Sequence, residues 1–228
     1  MPSWSLILSC FAHKLQQQMD RVDTHEVVLI VGATLVNASC AGALLLLAGS
    51  DSAATELALR TTARMSFVWF MLAFVASPLN QLRPSRLSAW LLRRRRALGV
   101  IFGFSMSIHV GFIVRLYALH APARPPMVTD ADFLIGIPGL VMVALLTVTS
   151  VETLKQRLGA LAWQRLHTTG IWVVWAIFFL CLVDSVGRKA TTHPVLAYHT
   201  FIVALLAGMV LRVLAARRRS ATAKPSDA

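Results

Sequence analysis

Two histidines lie where the chain is otherwise apolar. His109 sits in Ser105-Met106-Ser107-Ile108-His109-Val110-Gly111, thirteen residues beyond Arg96. On a helix that distance is roughly 20 Å, deep enough in hydrocarbon that an ionisable side chain is costly and marks a functional hypothesis. A neutral imidazole there has two ordinary uses. It can hydrogen-bond a neighbouring helix, or it can ligate a haem iron axially. Gly99, Gly103, Ser105, Ser107 and Gly111 thin this helix enough to admit a flat macrocycle. His167 opens a later apolar stretch in Leu161-Ala162-Trp163-Gln164-Arg165-Leu166-His167 and reads equally well as an interfacial residue beside an interfacial tryptophan. His199, one turn into the last apolar stretch, and His120 read as interfacial, while His13, His25 and His193 fall in flanking segments.

The elements that must position these groups follow from composition. Of 228 residues, 57% are hydrophobic and 14% charged, with mean hydropathy +0.66. Soluble domains average about 45–50% apolar and about 25% charged, so a water-soluble globule is excluded and an integral membrane protein remains. Six stretches approach the ~20 residues that cross a bilayer as helix. They run over 27–48, 65–79, 97–119, 133–149, 168–186 and 194–216. The expected fold is therefore all-α, an integral membrane six-helix bundle over 26–217. An N-terminal cytoplasmic or interfacial segment covers 1–25, and a disordered tail covers 218–228.

The net charge of +12 reports orientation. With both termini inside, 16 of the 22 Lys and Arg residues fall in inner segments, the asymmetry expected of an even number of spans with cytoplasmic termini. The basic residues flank apolar helices instead of forming one soluble face, which argues against nucleic acid as a partner. Cys10, Cys40 and Cys181 include no close pair, so neither a disulfide scaffold nor a cysteine-based zinc site is expected. No span carries a central carboxylate of the kind that couples ions to transport, which makes a small transporter the weaker alternative.

Arg95-Arg96-Ala97-Leu98-Gly99 with His109 ten residues after the glycine resembles the third helix of the ferric-reductase-like transmembrane domain. Thr147-Val148-Thr149-Ser150, Arg157-Leu158-Gly159, Trp163 and Leu166-His167 are similar to the fourth-to-fifth helix junction in the haem-binding membrane subunit of the bacterial methionine-sulfoxide reductase system. Thr61-Thr62-Ala63-Arg64 and Ser77-Pro78-Leu79 fit its second helix more loosely, so the resemblance covers about 61–217.

The resemblance implies haem b held by histidines of the third and fifth spans, with His109 and His167 as axial ligands of the iron. It further implies electron transfer across a bacterial inner membrane. Arg96 and Arg165 would then contact haem propionates or a flavin phosphate, with FMN or a quinone as further cofactors. One departure is plain: where that subunit has a second fifth-helix histidine, this chain has Leu180. Depth counted from the outer helix ends also differs, by roughly 9 Å between His109 and His167, which makes His199 the substitute partner for His109.

The chain has no GxGxxG turn, P-loop or CxxCH, and no room for a flavin or nicotinamide domain. Electrons would come from a quinol or a separate cytoplasmic donor and pass to an outer-side protein or metal chelate. The alternative is a haem-free six-helix scaffold or assembly partner of a respiratory or redox complex.

Overall fold

The computed structural model describes residues 24–49, 51–121, 123, 130–189 and 195–222. These form seven α-helices with no strand among the described residues: α1 Thr24–Ala48, α2 Ser52–Leu82, α3 Arg86–His120, α4 Asp130–Val148, α5 Glu152–Leu158, α6 Ala160–Lys189 and α7 Val195–Thr222. Five are long and apolar enough to cross a membrane. A sixth crossing arises if α4 and α5, bent by 101° at their break, count as one. The segment 1–23 and the tail 223–228, parts of the two expected flanking regions, lie outside the described residues. The first residues of that expected tail, Arg218 to Thr222, continue α7.

Local chemistry sets the helix ends. Asp51 caps α2, its carboxylate accepting from the Ala54 amide at 2.9 Å. Ser85 and Ser88 form a reciprocal capping box that starts α3 three residues after α2 stops. The link Arg83-Pro84-Ser85 is so short that α2 and α3 must pack antiparallel, and theirs is the most extensive interface among the described helices. At the end of α4, Thr149 and Ser150 turn their hydroxyls back onto the Leu145 and Leu146 carbonyls at 2.6 and 2.7 Å. The last two carbonyls, of Thr147 and Val148, take the Ser150 and Val151 amides at 3.1 and 3.2 Å, a tightened final turn from which the chain enters α5. Gly159, at φ +77°, separates α5 from α6, a conformation that only glycine adopts without strain.

Five helices close a ring in the order α2, α7, α6, α4, α3, and α1 lies outside against the α2–α3 pair. Lipid-facing surfaces are apolar, with Leu46 and Leu47 each 87% exposed, as expected when hydrocarbon is the solvent. The ring interior is aromatic. Phe70 meets Phe74, Phe102 and Phe178 at centroid distances of 5.4, 5.5 and 5.2 Å, and Phe67 meets Phe178 and Phe201 at 5.5 and 4.8 Å. Trp172 stands edge-on to Phe74 at 5.7 Å.

Small residues permit close approach where it occurs. A Cβ on Gly103 would run into Thr147, and one on Gly170 would lie 2.8 Å from Leu146. Gly99 and Gly111 have open space instead, so of the glycines that thin α3 only Gly103 seats a neighbouring helix.

Pro78 lies inside α2. It has no N–H, so the Phe74 carbonyl four residues earlier loses its helical donor. Arg212 of α7 supplies the replacement, Nε donating to the Phe74 oxygen at 3.1 Å.

Candidate functional site: two histidines at opposite ends of an aromatic core

His109 extends from α3 onto α2. Its Nδ1 lies 3.2 Å from the Leu59 carbonyl and 3.1 Å from Thr62 Oγ1. A carbonyl only accepts, so Nδ1 carries the proton and Nε2 keeps its lone pair. The Thr62 hydroxyl donates back along its own helix to Ala58 at 2.9 Å, which leaves its oxygen free to accept from the imidazole. This bond belongs to a polar seam between α2 and α3. Ser66 and Ser105 share a 2.9 Å hydrogen bond, and Arg115 donates to Thr55 at 3.2 Å.

His167 is held differently. Its Nε2 lies 3.1 Å from Thr149 Oγ1, whose own proton goes to Leu145. The imidazole therefore donates through Nε2. Its ring also stacks on Trp163 at 4.3 Å between centroids, and the Trp163 indole N–H donates to the Thr149 carbonyl at 2.9 Å. Trp163 and His167, four residues apart on one helical face, together grip the end of α4.

The two histidines are not brought together. Phe102 precedes His109 by seven residues on α3, and Phe178 follows His167 by eleven on α6; these phenyl rings touch at 6.1 Å. Because α3 and α6 both pair antiparallel with α4, they run in the same direction. The aromatic contact therefore lies between the two imidazoles along the bundle axis. The shortest register, Gly103 on Thr147 and Thr149 on His167, still separates them by at least about 12 Å of helical rise. One iron needs its two nitrogens about 4 Å apart, each bond being about 2 Å.

His199 offers no substitute. It is exposed and lies on the far face of α7 from the inward stripe of Leu205, Gly208 and Arg212. Leu180 is 48% exposed. Arg96 donates from Nε to the Ser150 carbonyl at 3.1 Å and so caps the α4–α5 turn, while Arg165 is exposed. Neither arginine converges with His109. No cluster of three or more metal-ligating side chains occurs among the described residues.

Fold and site define an all-α multi-pass membrane protein with an aromatic interior bracketed by hydrogen-bonded histidines. A family described as "Ferric reductase like transmembrane component" matches residues 62–181, just over half of the chain. The chain belongs to this ferric-reductase-like transmembrane family, which suggests a role in membrane electron transfer and is often haem-binding. No curated protein and no solved structure matches the chain.

The residues present do not fit the bis-histidine haem that such a family implies. His167 has committed its Nε2, His199 is exposed on the outer face of α7, and the Phe102–Phe178 contact lies between His109 and His167. Thr62 and Thr149, which receive the histidines, carry no sequence signal as partners. Their hint was only their place one turn after Ala58 and Leu145, where a threonine hydroxyl bonds backwards.

Proposed function

We propose that this chain is a haem-free member of its family, a six-helix membrane scaffold or assembly partner of a redox complex. It would sit in a bacterial inner membrane with both termini cytoplasmic. The observation that carries this reading is the Phe102–Phe178 contact between His109 and His167, in the space a macrocycle bridging them would need.

The test is haem content. Full-length protein purified in detergent from haem-replete cells should give a pyridine haemochrome far below one haem per chain. A near-stoichiometric, dithionite-reducible b-type spectrum that disappears in His109→Ala overturns the proposal. That outcome would favour a second reading, supported by the free Nε2 lone pair of His109: a haem b protein passing electrons from a cytoplasmic-side or quinol donor to an outer-side protein or metal chelate.

A further inference from the structure

At the arginine-rich end of the bundle, Arg95 and Arg212 come to similar height on the inward faces of α3 and α7, and neither forms an ion pair among the described residues. Arg212 is held rigidly, its Nε on the Phe74 carbonyl and its guanidinium 4.2 Å above the Phe74 ring and 5.7 Å from that of Trp172. That leaves Nη2 buried with no partner among the described residues. Arg95 projects from α3 on the same stripe as Phe102. The pairings Ser66–Ser105 and Thr62–His109 fix the α2–α3 register and set Arg95 level with Ala76, half a turn from Phe74.

Arg95 is half-buried and makes no hydrogen bond or ion pair with the described residues. Its charge acts on both Arg212 and His167, and that of Arg219 acts on Arg212. The described carboxylate nearest in sequence to His167, Glu152, is engaged by Lys155 at 3.4 Å. Like charges gathered in a poorly screened interior repel one another, and an anion between them would reverse the sign of the interaction.

We propose that Arg95 and Arg212 form a binding site for a phosphate group, supplied by an acidic phospholipid headgroup or by free phosphate. Two planar guanidinium forks suit a tetrahedral oxyanion that offers oxygens on several sides. The height also fits. Arg95 belongs to the run Arg93–Arg96 that ends where the apolar stretch of α3 begins, and basic pockets between helices at that level take lipid headgroups.

The experiment uses full-length protein, delipidated in neutral detergent and titrated with phosphatidylglycerol, with phosphatidylcholine, or with inorganic phosphate alone. Thermal unfolding and native mass spectrometry are the readouts. Phosphatidylglycerol should raise the unfolding midpoint and remain bound where phosphatidylcholine does neither. Arg95→Gln, which breaks no hydrogen bond among the described residues, should weaken that affinity on the order of tenfold. Arg86→Gln, the same charge removed from the exposed start of α3, should leave it within about twofold, as expected for a screened surface charge.

A shift produced by millimolar phosphate and not by lipid makes free phosphate the occupant, and the site stands. Equal losses in Arg95→Gln and Arg86→Gln reduce the effect to surface attraction and overturn the site. Absence of any response in the wild type overturns it too. Should Arg95→Gln fail to fold in phosphatidylcholine, Arg95→Lys keeps a cation without the fork, and wild-type affinity in that variant refutes recognition by Arg95.

Discussion

The bond between Arg212 and the Phe74 carbonyl exists because Pro78 withholds an amide, so the two residues should be coupled energetically across 134 positions of sequence. Arg212→Met removes the donor while keeping most of the stem volume. In the parent protein it forfeits a charge-assisted hydrogen bond of about 1.5 kcal/mol, near the upper end found between membrane helices. It also loses a cation–π contact of about 0.5–2 kcal/mol. The expected total is about 2–3.5 kcal/mol. In Pro78→Ala the amide of residue 78 returns and claims the Phe74 carbonyl, so Arg212→Met then forfeits only its stacking. A double-mutant cycle should give a coupling of about 1.5 kcal/mol, measured by reversible unfolding in detergent with helicity and total tryptophan fluorescence as probes. If Arg212→Met costs the same in both backgrounds to within about 0.5 kcal/mol, the limit of ordinary additivity, the compensation argument is refuted.

Thr149→Val keeps the shape at the end of α4 but leaves the His167 Nε2–H without an acceptor, and should lower stability by about 1–2 kcal/mol. Thr61→Val, at an exposed hydroxyl bonded to Leu57, should change the unfolding midpoint much less, and equal shifts would sink the assignment. For orientation, a Cys10, Cys40 and Cys181 to Ala background carrying Ser52→Cys or Ser220→Cys would be treated with membrane-impermeant maleimide in intact cells. Labelling of residue 52 alone is expected from the positive-inside asymmetry, and labelling of residue 220 alone inverts the topology.

The spans were legible because hydrocarbon demands about 20 apolar residues per crossing, and five of the six stretches coincide with single long helices. Their ends were less so. Hydropathy alone starts the second span at residue 65, yet α2 begins at Ser52, because Asp51 caps it and the Thr-, Ala- and Arg-containing run up to Arg64 is helical without being greasy. The α4–α5 break is invisible to hydropathy, since it lies in the switch of the Ser150 and Val151 amides to carbonyls three residues back. In the sequence Pro78 marks only the end of a span; the residue that lets it stay inside a helix, Arg212, lies on α7, and no local pattern points there. The depth of His109 could be counted from Arg96, but the partner of its imidazole could not.

Both histidines met the same device. In each case a threonine donates its single proton to the carbonyl four residues back, Thr62 to Ala58 and Thr149 to Leu145. The oxygen is then left facing the next helix as a pure acceptor, and the imidazole N–H fills it. Between helices in lipid there is no hydrophobic drive to set register, so one such bond has more say over alignment than it would in water. One pair pins α2 to α3 and the other pins α4 to α6, at opposite ends of the bundle. The rings of Phe67, Phe70, Phe102 and Phe178 then join the two pinned hairpins across the interior. On the scaffold reading, the residue types that suggest an electron carrier fix which helices meet and at what height. The same bonds that leave His167 without a free Nε2 account for its presence, so the scaffold reading needs no second explanation for that histidine.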